Sequence, residues 1–280
     1  MNTLELLKIG SYKLSQRNIH SHKLDAELLL SSVLNKRREE IIVSLDQKIN
    51  DKKINEFNNF IQRRLLREPV AYIIKKKEFW SKNFLINKNT LIPRPETELL
   101  IEKLVRVYRN KKISILDVGT GSGCILISLL SELTNSRGVG IDISKNVLRI
   151  AKKNSINHLV NNRAKFYNKS ITQFYNHKFD LIVSNPPYIE RKNIKNLDED
   201  IKKYEPIIAL DGGNDGLDVI KKVIYKANYI LKFNGTLAIE IGNGQYKKVS
   251  EILRKNSFRI KYNIKDYKEN IRCIISTLIK

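Results

Sequence analysis

The stretch Asp117-Val118-Gly119-Thr120-Gly121-Ser122-Gly123-Cys124 follows one run of apolar residues and leads into a second one. Glycines at alternate positions permit a tight turn and a close approach of the backbone to a ligand. The spacing is G-x-G-x-G, whereas dinucleotide-binding loops have G-x-G-x-x-G and hold a pyrophosphate on a helix N-terminus. The stretch therefore predicts a strand, a turn and a helix that bind a nucleoside cofactor without phosphates, with Asp117 facing a cationic amino group of that cofactor.

The sequence around this loop alternates between predicted strands and predicted helices. Such alternation is typical of an α/β domain in which helices cover a mostly parallel sheet, and the ligands of these sheets bind at the carboxyl ends of strands. A short connection joins the last two strands, so we expect an antiparallel pair at one edge. The predicted strands are residues 113–118, 137–142, 164–167, 179–184, 235–240, 259–265 and 272–279, and the predicted helices are residues 123–133, 145–155, 215–232 and 245–256.

The first part of the chain has a different pattern, because its apolar residues recur at helical spacing up to about residue 72. Asp51 is predicted to begin a helix and Pro69 to end one. Two short apolar stretches around a polar turn at residues 78–86 predict a hairpin, and a helix at 97–109 leads into the α/β unit. We therefore predict three parts, namely a helical domain at 1–74, a β-hairpin linker at 75–96 and an α/β domain at 97–280.

The chain is strongly basic, with 52 Lys and Arg residues against 29 Asp and Glu residues and a net charge of +23. Clustered basic residues are typical of phosphate binding. Here the charge is spread nearly in proportion to length, as in Lys192-Asn193-Ile194-Lys195-Asn196, which is typical of compositional drift and solvated faces. We therefore expect no stable nucleic-acid partner.

The cysteines and histidines predict neither a disulfide framework nor a metal site. Cys124 and Cys273 are the two cysteines and have no CxxC spacing, and the four histidines form no ligand pattern. We expect Cys124 to be a small buried hydrophobe rather than an acidified thiol at a helix start. The first residues lack the features of a signal peptide and no run of 18 apolar residues occurs, so the prediction is a cytoplasmic protein without a membrane segment.

Asp142 ends the second predicted strand of the α/β unit. A carboxylate there can accept hydrogen bonds from both hydroxyls of a ribose. Ser144 is better suited to cap the next helix, which leaves Asp142 for a ligand. The alternative is that the glycines only form a strand-to-helix turn and Asp142 only caps that helix. Together the loop and Asp142 resemble an S-adenosylmethionine site, with the candidate cofactor residues Asp117, Gly119, Thr120, Gly121, Ser122, Gly123 and Asp142.

The tetrapeptide Asn185-Pro186-Pro187-Tyr188 (NPPY) follows the predicted strand at 179–184. A residue before proline adopts an extended conformation and each proline fixes its own φ, so the loop holds Asn185 rigidly. The side-chain oxygen of Asn185 matches an N–H donor, and the ring of Tyr188 can pack on a flat group. An ordinary turn is the alternative. We favour a site for a planar nitrogen group.

Methyl transfer to such a nitrogen needs alignment more than acid–base chemistry. Transfer from a sulfonium is a linear displacement, and a delocalised lone pair is a poor nucleophile. We predict that the Asn185 side-chain oxygen and the Pro186 carbonyl accept both N–H bonds, which favours a pyramidal nitrogen and stabilises its developing positive charge. A strong general base is not required, because the methylated cationic nitrogen loses its proton readily. The predicted catalytic residues are Asn185, Pro186 and Tyr188.

With these motifs in place, the chain resembles the bacterial release factor glutamine methyltransferases, the PrmC or HemK family, over essentially its whole length. NPPY alone is not specific, since adenine-N6 and guanine-N2 methyltransferases have similar tetrapeptides. The discriminating segment is Ile92-Pro93-Arg94-Pro95-Glu96-Thr97-Glu98 (IPRPETE). Further similar stretches are residues 25–29, 63–73, 78–80, 204–206, 209–213, 215–217 and 240–242.

The resemblance implies a Rossmann-like class I S-adenosylmethionine-dependent methyltransferase domain with a seven-stranded, mostly parallel sheet, behind a helical substrate-recognition domain. It implies methyl transfer to the side-chain amide nitrogen (N5) of the glutamine in the Gly-Gly-Gln loop of class I peptide chain release factors, in support of translation termination. We expect a monomer that yields S-adenosylhomocysteine. Carried over by position, the cofactor residues are 119–123, Asp142, Ser170 and Asn185, and the substrate residues are Asn185, Pro186, Pro187 and Tyr188. Arg94 and Glu98 either border the substrate pocket or form an ion pair between domains.

The chain departs from the family pattern at three places. Lys75 stands where a glycine is usual, so that turn is expected to differ. Ser170 stands where an aromatic residue often lies beside the adenine ring, and residues 268–270 lack the glycine common in that turn. None of these departures touches the predicted reacting centre.

Two other functions stay open at this point. The first is methyl transfer to an exocyclic amine of rRNA or DNA, which NPPY and the positive charge also fit, and which predicts binding that weakens steeply with salt. The second is recognition of a release factor or the ribosome without chemistry.

Overall fold

The computed structural model describes residues 1–175 and 177–279, which form two compact units. The first unit is Met1–Lys76 together with Asp198–Tyr204, and the second is Lys77–Leu197 together with the chain from Glu205 onward. The segment Asp198–Tyr204 lies within the range that we assigned to the α/β domain from the sequence. The limits 1–74, 75–96 and 97–280 stay a prediction.

The first unit is helical. Its helices are α1 (Thr3–Ser15), α2 (His22–Leu34), α3 (Arg38–Ile42), α4 (Asp51–Leu65), α5 (Val70–Ile73) and a helix of the second segment, α9 (Glu199–Tyr204). The prediction that Asp51 begins a helix is confirmed, and the Asn50 side chain caps α4 by accepting from the Lys53 amide at 3.0 Å. Pro69 lies after α4 and directly before α5. Phe57, Ile61 and Leu30 belong to the apolar core of the unit.

A buried cation ties α9 into the first unit. The Arg64 side chain donates to Asp25 at 2.7 Å through Nε and to Asp200 at 2.6 Å through Nη1. The hydroxyl of Tyr204 also donates to the Leu66 carbonyl at 2.8 Å. Removal of one partner from a buried ion pair leaves an uncompensated charge, so this cluster holds the short helix in place. Sequence periodicity did not assign α9 to this unit, since its partners lie more than a hundred residues away in the chain.

The second unit begins with a hairpin and a helix. Strands β1 (Lys76–Phe79) and β2 (Lys82–Leu85) form the predicted hairpin, whose turn residues Trp80 and Ser81 both have left-handed backbone at φ 52°. Helix α6 (Glu96–Tyr108) follows. The Asn154 side chain fixes the hairpin by accepting from the Leu85 amide at 2.8 Å and donating to the Leu85 carbonyl at 3.0 Å.

The described residues of the second unit also form a seven-stranded sheet. Its strands are β3 (Ser114–Val118), β4 (Arg137–Asp142), β5 (Ala164–Asn168), β6 (Phe179–Ser184), β7 (Leu231–Glu240), β8 (Phe258–Lys265) and β9 (Ile271–Leu278). The strand order is β5-β4-β3-β6-β7-β9-β8, with parallel pairing from β5 to β7 and antiparallel pairing of β9 with β7 and β8. The predicted α/β fold with a mostly parallel sheet and an antiparallel edge pair is confirmed.

Helices bury both faces of this sheet. The helices are α7 (Cys124–Glu132), α8 (Lys145–Asn157), α10 (Asp218–Ile230) and α11 (Tyr246–Lys255). Successive residues of β3 enter different cores, since Ile115 packs with residues of α6 and α7 and Leu116 packs with residues of α10 and α11. Burial on both faces is the reason that the strands are nearly continuous apolar runs. Within the described residues, no helix is both long enough and apolar enough to span a bilayer.

Neighbouring strands bring the predicted site segments to one edge of the sheet. Val118 is in register with Ile141 of β4 and Ser184 of β6, and Ser184 is in register with Ile239 of β7. The strands are parallel, so their carboxyl ends lie side by side. The cofactor loop, Asp142, NPPY and Glu240 therefore come together at this edge.

At two positions where the chain departs from the family pattern, the backbone has the positive φ that glycine commonly adopts. Lys75 has φ 58° and Glu269 has φ 63°, both in the left-handed region. Residues with a Cβ atom adopt this region at a cost of roughly 1–2 kcal/mol. The expectation that the turn at Lys75 differs is not supported by its φ, because the side chain is tolerated without a change to right-handed backbone.

Candidate active site

A cleft of about 620 Å³ opens at the carboxyl ends of the parallel strands. Its walls combine the cofactor loop, the end of β4, the NPPY loop and two segments that sequence reasoning did not assign to the site. Residues that line it are Asn89, Thr90, Leu91, Val118, Gly119, Gly121, Ile141, Asp142, Ile143, Ser144, Ser170, Ile171, Asn185, Pro186, Pro187, Pro206, Ile207, Ile208 and Ala209, with others. A space of this size is typical of a small-molecule site.

The cofactor loop presents bare backbone to the cleft. Gly119 and Gly121 both line it and have left-handed φ values of 72° and 57°. A Cβ atom added to Gly119 would meet no atom within 4 Å, so that side of the loop faces open space. The Gly119 and Thr120 amides donate to the Ile141 carbonyl at 2.9 Å and 3.0 Å, which fixes the loop against β4. The loop thus leaves room for a ligand directly against its backbone.

Asp142 lies in the wall of the cleft next to this loop. Its Oδ2 accepts from the Gly121 amide at 3.1 Å and its Oδ1 from the Ser144 amide at 2.9 Å. The Ser144 side chain caps α8 by accepting from the Val147 amide, as predicted. Burial raises the pKa of the Asp142 carboxyl above its usual range. The backbone bonds hold the carboxylate in one orientation and leave lone pairs for further donors.

Backbone hydrogen bonds to a segment that is distant in sequence hold the NPPY loop in place. The first three residues of Asn185-Pro186-Pro187-Tyr188 line the cleft. Immediately after them, the Ile189 amide donates to the Leu210 carbonyl at 3.0 Å and the Gly212 amide donates to the Ile189 carbonyl at 2.8 Å. A Cβ atom on Gly212 would come within 2.8 Å of the Tyr188 Cα, so only glycine fits. The family-like stretch at 209–213 therefore braces the loop.

The Asn185 amide is connected to a buried carboxylate through one hydroxyl. Asn185 Nδ2 donates to Thr97 Oγ1 at 3.2 Å, and Thr97 Oγ1 donates to Glu240 Oε2 at 2.6 Å. Glu240 is fully buried, and burial raises its pKa. Because Nδ2 and Oδ1 are on opposite sides of the planar amide, Oδ1 points away from Thr97. The side-chain oxygen is thereby left for a donor from a bound ligand.

Tyr188 belongs to the same network from the other side. Its hydroxyl donates to Glu240 Oε1 at 3.2 Å and accepts from Arg272 Nη2 at 2.9 Å. Gln245 Nε2 donates to the Tyr188 carbonyl at 2.9 Å. Among the described residues, Tyr188 is not one of those that line the cleft. Its predicted packing on the flat face of a substrate amide stays a prediction.

Comparisons with known proteins match this geometry to a family. A model described as "Methyltransferase domain" matches residues 109–274, and a model described as "PrmC N-terminal domain" matches residues 5–74. The release factor glutamine methyltransferase of Buchnera aphidicola subsp. Schizaphis graminum (strain Sg) is 42% identical over 272 residues, which cover 97% of this chain and 98% of that protein. The chain belongs to the release factor glutamine methyltransferase family. The family resemblance of the sequence motifs is thus confirmed.

Longer relatives and a solved structure extend this result. The bifunctional methyltransferase of Rickettsia prowazekii (strain Madrid E) is 36% identical over 290 residues, 96% of this chain but 56% of that protein. The chain therefore spans about half the length of this curated relative. The crystal structure of a methyltransferase from Pyrococcus furiosus has a TM-score of 0.55 at 16% identity and covers 80% of this chain and 100% of that one. At that identity it supports the Rossmann-like fold alone.

S-adenosylmethionine is the cofactor of this methyltransferase family, and the cleft fits it. The volume of about 620 Å³ suits a nucleoside with an amino-acid chain. The open side of Gly119 and the oriented carboxylate of Asp142 supply a backbone cradle and a diol acceptor. Of the cofactor residues predicted on the loop, Gly119 and Gly121 line the cleft, and the predicted Asp142 lines it next to them.

The other predicted cofactor residues lie behind the cleft rather than in its wall. Asp117, Thr120, Ser122 and Gly123 do not line it within the part of the chain that the structure describes. Asp117 is fully buried, its Oδ2 accepts from Thr120 Oγ1 at 2.6 Å, and its Oδ1 has no hydrogen-bond partner among the described residues. Burial raises the pKa of the Asp117 carboxyl to about 7. An unpartnered oxygen of this kind is suited to a donor that arrives with a ligand.

We expect this carboxyl to make the stability of the cofactor-free protein depend on pH. The folded-state pKa of about 7 lies above the usual 3.8, so folding disfavours the ionised form. Stability from this group is present below about pH 4 and is lost as pH rises toward 7. Relative to Asp117→Asn, the wild-type free energy of unfolding should fall by about 1 kcal/mol between about pH 6 and about pH 7. Urea unfolding at both pH values measures it, and parallel pH profiles of the two proteins would contradict it.

Arg94 and Glu98, two predicted substrate residues, have separate partners. Arg94 Nη2 donates to Glu205 Oε1 at 2.6 Å, and Glu205 Oε2 accepts from the Ile92 amide at 3.2 Å. Glu98 Oε1 accepts from the Trp80 amide at 3.0 Å. Neither Arg94 nor Glu98 is among the described residues that line the cleft. The Arg94 pair instead fixes the IPRPETE segment to Glu205. The residues directly before IPRPETE (89–91) and directly after Glu205 (206–209) line the cleft.

Ser170 lines the cleft but has a local structural partner as well. Its side chain accepts from the Thr172 amide at 3.4 Å and caps a short 3-10 helix at Ile171–Gln173. The apolar surface near it comes from Ile171 and from Ile143, which is 57% exposed. Ile143 was not predicted as a site residue, and its place directly after Asp142 is the signal that could have indicated it. These isoleucines line the cleft beside Ser170, where the family often has an aromatic residue.

Two remaining predictions concern chemistry away from the cleft. Cys124 is half-buried at the start of α7, and burial raises the pKa of its thiol to about 12. The expectation that this thiol is not acidified is thus supported, because a thiolate is disfavoured there, whereas the expected full burial is not found. In residues 1–175 and 177–279, no group of three or more His, Cys, Asp or Glu side chains is placed to hold a metal ion.

Proposed function

We propose that the protein transfers a methyl group from S-adenosylmethionine to the side-chain amide nitrogen of the glutamine in the Gly-Gly-Gln loop of class I peptide chain release factors. The observation that carries this proposal is the Asn185 amide at the wall of the cofactor cleft, with Nδ2 bonded to Thr97 and Oδ1 turned away from it. Relatives named release factor glutamine methyltransferases support the choice of substrate, at 42% and 38% identity over 98% of their lengths.

The protein residues act by binding and orienting. When bound, S-adenosylmethionine supplies a methyl group on a cationic sulfur. Gly119 and Gly121 receive the cofactor on bare backbone, and Asp142 accepts from its ribose hydroxyls. Asn185 Oδ1 and the Pro186 carbonyl accept the two N–H bonds of the glutamine amide, which stabilises the charge that develops on nitrogen. Alignment of the amide with the methyl group is then the main contribution to rate.

Proton removal needs no dedicated base in this scheme. Burial raises the pKa of the Tyr188 hydroxyl well above its usual range, so the phenol stays protonated at neutral pH. The Glu240 carboxyl group contacts the NPPY loop through Tyr188, and its oxygens already accept from Thr97 and Tyr188. The methylated nitrogen is acidic and loses its proton to water as the product leaves.

The remaining parts of the proposal concern the partner and the setting. The unit that matches the PrmC N-terminal domain model is proposed to recognise the body of the release factor. We further propose a cytoplasmic monomer without a stable nucleic-acid partner, since the positive charge is dispersed along the chain.

Labelled methyl transfer tests the substrate class. Purified protein is incubated with methyl-labelled S-adenosylmethionine and, in parallel, with release factor, ribosomal RNA or DNA. We expect label in the release factor and none in nucleic acid. Label in RNA or DNA that disappears steeply with added salt would contradict the proposal and favour an exocyclic-amine methyltransferase. No label in any substrate, with the release factor still bound, would favour a recognition protein without chemistry.

A further inference from the structure

The buried carboxyl group of Glu240 accepts two hydrogen bonds from other segments of the second unit and has an arginine near it. It is the last residue of β7 and is fully buried. Thr97 of α6 donates to one of its oxygens at 2.6 Å, and the Tyr188 hydroxyl donates to the other at 3.2 Å. Arg272 of β9 lies nearby, and its Nη2 is 3.9 Å from Glu240 Oε1. A buried carboxyl group with these partners is held in one orientation.

The directions of the hydrogen bonds in this network agree with the number of protons that each group can donate. A guanidinium can only donate, so the Tyr188 hydroxyl accepts from Arg272 at 2.9 Å and must give its single proton to Glu240. The Thr97 hydroxyl donates to Glu240 Oε2 at 2.6 Å, and this bond uses its single proton.

The direction of the hydrogen bond between Asn185 and Thr97 follows from the same count of protons. Thr97 Oγ1 has no second proton, so it can only accept from the Asn185 side chain, at 3.2 Å. Asn185 must therefore present Nδ2 to Thr97. In the opposite amide orientation, Asn185 Oδ1 and Thr97 Oγ1 would face each other with no proton between them. The orientation of the Asn185 amide is thus a consequence of the hydrogen bond that Thr97 donates to Glu240.

We propose that Thr97 and Glu240 are positioning residues, which set the Asn185 amide so that Oδ1 rather than Nδ2 faces the substrate nitrogen. This inference rests on the proposed function, since it assigns a role within the same site. It explains why Thr97 in the IPRPETE segment and Glu240 at the end of β7 belong with NPPY although 143 residues separate them in the chain. Thr97 and Glu240 do not touch the cleft in the described structure and act through Asn185.

The test compares Thr97→Val, which removes the hydroxyl, with Thr97→Ser, which keeps it. For release factor methylation we expect kcat of Thr97→Val to fall roughly tenfold, the effect of one lost hydrogen bond of about 1.4 kcal/mol. The affinity for S-adenosylmethionine by calorimetry should stay within about twofold, and Thr97→Ser should keep most of the wild-type kcat. Ser128→Ala, which removes a buried hydroxyl of α7 outside the network, is the matched control.

Each outcome separates this inference from the proposed function. An unchanged kcat in Thr97→Val, with wild type active on release factor, would overturn the positioning role and leave the proposed function intact. A wild type inactive on release factor would instead overturn the proposed function. Should Thr97→Val fail to fold, Glu240→Gln provides the second test, because a neutral amide is no longer an obligatory double acceptor. We expect Glu240→Gln to lower kcat without loss of cofactor affinity, and an unchanged kcat would again overturn the role.

Discussion

Replacement of Asn185 by alanine is expected to lower kcat for release factor methylation by about 100- to 1,000-fold, the usual effect of removing one preorganised group at a developing charge. The physical reason is that the Asn185 oxygen accepts an N–H bond that strengthens as the nitrogen becomes cationic. Steady-state assays with labelled S-adenosylmethionine measure kcat, and calorimetry measures cofactor affinity in the same preparation. We expect the cofactor affinity to stay within a few-fold of wild type.

Asn161→Ala is the matched control for this substitution. Asn161 is exposed in the loop before β5, and its amide contacts the neighbouring Asn162 side chain. The control should have wild-type kcat. A kcat of Asn185→Ala near wild type would contradict the role of the Asn185 oxygen. Equal losses in kcat and in cofactor affinity would indicate instead that Asn185 shapes the cleft as a whole.

Replacement of Asp142 by alanine is expected to weaken S-adenosylmethionine binding by about 1–3 kcal/mol, the cost of leaving polar partners unmatched. This corresponds to roughly a 5- to 150-fold rise in Kd. The loss has two sources, the ribose hydroxyls and the Gly121 amide, which donates to Asp142 at 3.1 Å and helps to hold the loop. Isothermal titration calorimetry of the two proteins with the cofactor provides the measurement.

Asp51→Ala serves as the control, because Asp51 is an exposed residue of α4 in the other compact unit. Its affinity for the cofactor should equal that of wild type. An affinity of Asp142→Ala that also equals wild type would contradict the ribose assignment. It would leave Asp142 with the local role of bonding the Gly121 and Ser144 amides.

The fold of the second unit was predictable because its signals are local. Apolar runs for strands buried on both faces, glycines at a strand-to-helix turn and a short connection between the last strands all act within a few residues. The predicted strand at 179–184 agrees with β6 at both ends, and the predicted strand at 137–142 agrees with β4. Parallel pairing then brings the carboxyl ends together without further information.

The supporting residues of the site could not be predicted in the same way. Thr97, Glu205 and Glu240 each stand in a family-like motif, but each has a hydrogen-bond partner 88 to 143 residues away. Periodicity and spacing carry no information on which distant side chain completes a hydrogen bond. The orientation of Tyr188 is another example, because its hydroxyl is held by Glu240 and Arg272 and its ring does not line the described cleft.

Backbone conformation shows a further limit of motif reasoning. The family usually has a glycine at the position of Lys75, and its absence led us to expect a different turn. Lys75 nevertheless has φ 58°, so the surrounding structure outweighs a local cost of roughly 1–2 kcal/mol. At this position, the change from glycine to lysine therefore affects local stability and leaves the left-handed backbone in place.

A mass spectrum of release factor co-expressed with this protein tests the central claim most directly. We predict one added methyl group on the peptide that contains the Gly-Gly-Gln motif, located on the glutamine side chain by fragmentation. Co-expression with Asn185→Ala should leave that peptide largely unmodified. An unmodified Gly-Gly-Gln peptide with the wild-type protein, or a methyl group elsewhere in the release factor, would contradict the claim.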